Sequence, residues 1–184
     1  MCSSDLCLRS RRRGRRHRAD VHVGGIDALS VDAPSETLQL TLVTDRETLR
    51  AWYDIVLACF PTTFSAAYFE ALAATSLSPD AAWQHYVARV EGEVVTASSI
   101  YLGAGVAGLY NLGTRPDRRR QGIGAWMTRA TFQAARAQGY HVATLQTTYP
   151  NALRMYHRMG FEVYGKISIY DFVPTKERSG PTEP

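Results

Sequence analysis

Arg118-Arg119-Arg120-Gln121-Gly122-Ile123-Gly124-Ala125 is the stretch on which the reading of this chain turns. Before it, Tyr110-Asn111-Leu112-Gly113-Thr114 reads as a short strand; after it, apolar residues recur at helical spacing. Arginines and closely spaced glycines therefore stand where a strand gives way to a helix start. The first N–H groups of a helix lack internal partners, and its dipole favours negative charge there. Glycine lets that backbone approach a phosphate with no Cβ in the way. The expected ligand is a phosphorylated cofactor.

Spacing narrows the choice. A P-loop needs Gly-x4-Gly-Lys-Ser/Thr, and no lysine follows these glycines. A dinucleotide fingerprint needs a third glycine where Met127 stands, and an acidic residue about twenty positions on, where the segment around Gln146 has none. Arg/Gln-x-x-Gly-x-Gly/Ala does fit, through Arg119, Gly122 and Gly124.

This motif resembles the acetyl-CoA loop of the GCN5-related N-acetyltransferases. Leu112-Gly113-Thr114-Arg115-Pro116 is similar to that family's strand-then-proline lead-in. Asn151 to Phe161 (Asn-Ala-Leu-Arg-Met-Tyr-His-Arg-Met-Gly-Phe) resembles its second cofactor motif, Asn-x4-Tyr-x3-Gly-Phe. The resemblance covers about residues 38 to 173, with both motifs in order and joined by a helix and a strand.

Composition sets the bounds. At 184 residues and 45% hydrophobic content the chain makes one domain with a good core. Its three cysteines suggest no disulfide framework and point to a reducing, cytoplasmic setting. No apolar run is long enough to span a membrane. The five histidines show no metal-ligand spacing, so no metal is expected.

The formal charge of +4 is unevenly spread. Residues 1–20 carry seven arginines against Asp5 and Asp20, a net +5, which leaves −1 for the remainder. Residues 1–37 read as a disordered Arg-rich leader. A nucleic-acid arm is the functional alternative, but no aromatics are interleaved for base stacking. Met1-Cys2-Ser3-Ser4-Asp5-Leu6 is also what a common sequencing-adapter end encodes from a GTG start, so read-through is a further account of these residues. Residues 38–174 form the expected acetyltransferase domain and 175–184 a disordered tail.

Along the domain, Leu38, Leu40 and Leu42 alternate as in a strand, and Thr44-Asp45-Arg46-Glu47 looks like a capping box. Leu49, Trp52, Tyr53, Val56 and Leu57 fall at helical spacing. A second helix is expected over about 63–75, with Phe64, Tyr68 and Leu72 as its stripe. Strands follow over 85–90, 93–101 and 107–114, with a bulge site at Asn111-Leu112-Gly113. A helix over 122–138 buries Ile123, Met127, Ala130 and Ala134 and presents Arg129, Gln133 and Arg136 to water. Strand 141–147, helix 150–159 and a strand-like 161–173, broken near Gly165, complete the chain. This is an α/β (α+β) arrangement. The resemblance implies a mixed, mostly antiparallel sheet with helices on both faces.

The resemblance also implies the site. The strand before the loop and the strand after the long helix would splay apart, and the pantetheine arm would lie in the gap. The backbone of Leu112, Gly113 and Thr114 would hold its amides. The N–H groups of Gln121, Gly122, Ile123, Gly124 and Ala125 would hold the pyrophosphate, aided by Arg119 and Arg120. Asn151 would cap its helix, contact pantetheine, or both. Tyr156 would donate a proton to the departing thiolate.

The glutamate that many family members carry on the strand before the loop is missing, since residues 94–116 contain no acid. Glu70, His85, Tyr110 and Gln146 are the alternatives, and no base is assigned. The implied reaction is acetyl transfer from acetyl-CoA, as cosubstrate, to a primary amine of a small molecule or peptide by direct attack in a ternary complex. A homodimer is compatible with it. A non-catalytic acyl-CoA sensor and a nucleic-acid binder are the other classes. No acidic cluster in residues 60–85 announces a polycationic acceptor.

Overall fold

The computed structural model describes residues 16–30, 38–60 and 65–170. Within them, strand β1 (Arg16–Gly25) and β2 (Gln39–Leu42) precede helices α1 (Arg46–Cys59) and α2 (Ala66–Thr75). Strands β3 (Trp83–Val90), β4 (Glu93–Gly103) and β5 (Val106–Thr114) form a meander that leads into α3 (Ile123–Arg136). Then come β6 (Val142–Thr147), α4 (Pro150–Arg158) and β7 (Glu162–Tyr170). The sheet runs β2-β3-β4-β5-β6-β1-β7 and is antiparallel except at β5–β6. A mixed, mostly antiparallel sheet with helices on both faces is what the sequence led us to expect.

Local chemistry explains the elements. Helix α1 begins one residue later than the expected capping box. Asp45 is the N-cap, and its carboxylate accepts from Thr48 N and Thr48 Oγ1, both at 2.8 Å. Helix α2 begins at Ala66, capped by Ser65; residues 63 and 64 of the expected helix lie outside the described residues. Its buried side chain is Phe69, not Tyr68, and it joins the core cluster beneath α1, the helix on which α2 packs. Phe69 meets Tyr53 edge-on at 5.4 Å, with the Arg50 guanidinium 4.7 Å from its ring centre.

Two cores result. Helix α1 lays Leu49, Trp52, Tyr53 and Val56 against Val87 and Ala97 on one face of the sheet. Helix α3 lays Ile123, Trp126, Met127 and Phe132 on the other, joined by Tyr156 and Phe161. More of α3 is buried than its stripe suggested. Gln133, expected in water, donates to the carbonyls of Ile26 and Leu29. Arg136 pairs with Asp27 at 2.6 Å.

These last partners belong to the expected leader, which needs correction. Residues 16–25 are not disordered: β1 lies inside the sheet, Asp20–Gly25 pairing β6 and Arg16–Val23 pairing β7. A 3-10 turn, Ile26–Ala28, continues it, with Ile26 and Leu29 fully in the core. The rest of the leader expectation, residues 1–15 and 31–37, lies outside the described residues, as does the tail 175–184. Strand β7 is likewise continuous. Val21 pairs Gly165 and His22 pairs Val163, so Tyr164 bulges where a break was expected.

Candidate active site

The site is built where β5 leaves its neighbours. Its pairing with β6 runs only from Val106↔Val142 to Leu109↔Leu145, although β5 continues to Thr114 and β6 to Thr147. On its other side the register slips: Ser99 faces Tyr110 and Ala97 faces Gly113, three steps on β5 against two on β4. The extra residue is Asn111, at φ 49°. Asparagine is one of the few side chains that tolerate this left-handed backbone. The bulge expected at 111–113 is present, and the two strands splay beyond it.

The glycine loop lies at the open end of this gap. Arg120 and Gly122 both adopt positive φ, 65° and 79°. Gly122 is the N-cap of α3, and the first intrahelical bond runs from Trp126 N to Gly122 O at 3.0 Å. The N–H groups of Ile123, Gly124 and Ala125 precede that bond and keep their donors for a ligand. Arg119 turns back and donates from Nε to Thr114 O at 3.0 Å, tying the loop to the strand end. Thr96 Oγ1 holds the Gly113 carbonyl at 2.8 Å. Cys59 Sγ also donates to Thr114 O, at 3.3 Å, so both lone pairs of that carbonyl are taken. Beyond Leu109 the edge of β5 that faces β6 makes no ladder pair.

A cavity of about 680 Å³ gathers most of the predicted residues: Leu112, Gly113, Thr114, Arg119, Arg120, Gly122, Ile123, Gly124, Ala125 and Asn151 all line it. Gln121 lies between them in sequence but not on the cavity wall. Asn151 does not cap α4. Tyr149 takes the N-cap position, and Asn151, in the first turn, accepts a hydrogen bond from Arg154. Sequence reasoning missed Cys59, Tyr149, Arg154 and Arg158 on this wall. Helical spacing held the signal for two of them, since Asn151, Arg154 and Arg158 fall on one face of α4.

A second cavity, of about 470 Å³, continues through the splay. It shares Phe60, Leu112, Tyr149, Ala152 and Met155 with the first and adds Tyr110, Asn111, Gln146 and Tyr156. Tyr156 is buried between Phe161 and His22, ring centres 6.0 and 6.4 Å away. Burial pushes its phenol well above the ordinary tyrosine value, so it keeps its proton.

The alternatives for a base separate clearly. Glu70 is on the surface of α2, paired with Arg46 at 2.6 Å. Tyr110 and Gln146 line the second cavity. His85 is buried beneath Trp52, ring centres 4.2 Å apart, and its Nδ1 meets Ser99 Oγ at 2.8 Å. Asn111 Nδ2 donates to the same Ser99 Oγ at 3.2 Å. The row His85–Ser99–Asn111 thus crosses three strands from the core to the cavity.

Burial lowers the His85 pKa to about 4 from an ordinary 6.5. Above pH 6.5 the ring is neutral folded or unfolded. As pH falls from 6.5 to 4, the unfolded chain takes a proton that the native ring refuses. Stability should therefore drop across that window, by about 3 kcal/mol from this residue alone. Denaturant unfolding at pH 7 and pH 4 checks it. The loss should shrink in His85→Gln; an equal loss in both proteins would refute it.

The sequence model of the acetyltransferase (GNAT) family matches residues 49–161. The chain belongs to this family. A GCN5-related N-acetyltransferase from Kribbella flavida superposes with a TM-score of 0.67 at 23% identity, over 84% of this chain and 58% of that one. One from Sphaerobacter thermophilus gives 0.68 at 19%, over 86% and 53%. At these identities the likeness concerns the fold. Mouse (Mus musculus) "probable N-acetyltransferase family 8 member 5" is 39% identical over 62 residues, 33% of this chain and 27% of that protein. The chain thus spans little more than half of the two solved structures and about a quarter of the mouse relative. The GNAT match covers the loop, the bulge and Tyr156 but not β1, which supplies His22 beside Tyr156. Among the described residues no group of His, Cys, Asp and Glu is placed to hold a metal, and no helix is long and apolar enough to cross a membrane.

Proposed function

We propose that this GNAT protein is an N-acetyltransferase that moves an acetyl group from acetyl-CoA to a primary amine by direct attack. One observation carries the reading: two adjoining cavities run from the positive-φ loop at the start of α3, through the β5–β6 splay, to Tyr156. The residues present fit the cosubstrate. Donors and arginines stand where a pyrophosphate would sit, a freed strand edge stands where amides would pair, and a protonated phenol lies beyond. When bound, acetyl-CoA supplies an acyl group activated as a thioester.

The chain's own residues do the rest. The loop N–H groups and Arg120 fix the phosphates. The edge of β5 at Leu112 to Thr114 orients the arm. The phenol of Tyr156 donates a proton to the sulfur as the new C–N bond forms and the C–S bond breaks. The amine's surplus proton goes to solvent, so the thiol leaves neutral and the phenolate is reprotonated. No carboxylate on β5 is required if the amine arrives unprotonated.

Calorimetric titration of the full chain with acetyl-CoA, followed by thiol release over an amine panel, tests this. We expect micromolar binding and amine-dependent release. Binding without release on any amine would leave a cofactor sensor, the reading that the missing strand carboxylate favours. No binding would refute both.

A further inference from the structure

The face of the sheet that carries α1 holds an aromatic surface that shares no residue with the wall of the first cavity. Trp83, Tyr101 and Tyr110 stand on three adjacent strands with Trp83 between the others, ring centres 5.2 and 5.0 Å apart. They are 39%, 41% and 37% exposed. Their neighbours on the same face, His85 and Ser99, lie under α1, so the aromatic row begins where that helix stops covering the sheet. Two glycines let the rings lie down. A Cβ on Gly103 would come within 2.9 Å of the Tyr101 ring, and one on Gly108 within 3.0 Å of the Tyr110 ring. Any side chain there would lift the rings off the sheet.

This surface is continuous with the reaction cavity. Tyr110 belongs to both, and Asn111 is next to it. The bulge makes this possible: consecutive residues of β5 both act on the α1 face, Tyr110 through Trp83 and Asn111 through Ser99. Asn111 spends its Nδ2 on Ser99, which is backed by buried His85. Its Oδ1 is the end left to the cavity, and a carbonyl oxygen accepts from an amine.

Charge narrows the occupant. Strands β3 and β5 carry no carboxylate, and the one on β4, Glu93, lies at the far end beside Arg115. These three strands therefore offer no carboxylate beside the rings to neutralise the second charge of a polyamine. A flat ring would find three others to stack on.

We infer that the acceptor is a primary amine with an aromatic body, its nitrogen held by Asn111 Oδ1 and its ring laid over Tyr110, Trp83 and Tyr101. This rests on the transferase reading for its chemistry, but its binding can be read separately. Of the three tryptophans, Trp52 and Trp126 are buried at 0% and 5% exposure, so Trp83 alone is open to a ligand. Its emission reports directly on the aromatic surface.

The experiment titrates the full chain, saturated with CoA, with 2-phenylethylamine, 2-cyclohexylethylamine and putrescine, following tryptophan emission and heat. We expect saturable quenching by phenylethylamine, affinity about fivefold weaker for the cyclohexyl analogue, and no saturation with putrescine. By calorimetry, Trp83→Ala should weaken phenylethylamine about tenfold or more and leave acetyl-CoA affinity within about twofold. Asn111→Gly keeps the left-handed backbone and removes the amide, so it should also weaken the amine; Asn111→Asp, which keeps an acceptor, should restore it. Putrescine binding as tightly as phenylethylamine, or an unchanged Trp83→Ala, overturns the inference. Acetyl-CoA binding with no amine bound overturns it too, and leaves the cofactor reading standing. Amine binding with the stated selectivity but no thiol release overturns the transferase reading and the acceptor role with it, and leaves the aromatic-amine binding site standing.

Discussion

Gly122→Val should abolish measurable acetyl-CoA binding, a loss of at least about a hundredfold, while the chain still folds. Two causes act together. Gly122 sits at φ 79° and ψ −9°, a left-handed conformation that an L side chain reaches only at a cost of roughly 1–2 kcal/mol, and a β-branched one least of all. The variant will therefore pull the loop away from its present course. The new side chain also stands on the cavity wall, next to the N–H groups of α3 that await an anion. The control is Gly124→Ala. Its Cβ would meet Thr114 Oγ1 at 3.5 Å, an ordinary contact, in a helical first turn that suits alanine. Its affinity should stay within about threefold of wild type. Calorimetry with thermal unfolding decides the matter. Wild-type affinity in a folded Gly122→Val would remove the loop from the cofactor site.

Tyr156→Phe should lower kcat by about a hundredfold with little change in acetyl-CoA affinity, as loss of a proton donor predicts. The ring would keep its packing against Phe161 and His22, so stability should hardly move. A pH profile separates this from a packing effect. Because burial raises its pKa, Tyr156 stays protonated through the ordinary tyrosine range near pH 10, and the wild-type kcat should show no alkaline fall from it below that point. Equal turnover in variant and wild type would end the general-acid role.

Much of this architecture was legible because its signals are local. The Arg119, Gly122 and Gly124 spacing, the proline lead-in and the Asn-x4-Tyr-x3-Gly-Phe run each report a backbone that needs those residues within one turn or loop. The bulge was readable for the same reason, since Asn111 and Gly113 mark a strand that cannot pair evenly. Helix boundaries moved by a residue or two where a neighbouring side chain took the cap, as Asp45 did.

What failed was non-local. Residues 16–25 carry arginines, one aspartate, a buried histidine and a Gly-Gly pair, with too little apolar alternation to announce a strand. They form one because β6 and β7 each offer an unpaired edge, and a strand paired on both sides satisfies its backbone whatever its side chains. Likewise nothing in the spacing of Trp83, Ser99, Tyr101 and Asn111 shows that they share a face, for that depends on register and on one bulge. The sequence by itself determined the GNAT family, the glycine loop at the start of α3 and the position of Tyr156, since these rest on contacts between near neighbours. Only the tertiary structure decided the place of β1 and the aromatic floor beside the second cavity, because strand pairing across a hundred residues is set by which edges remain free once the rest has folded.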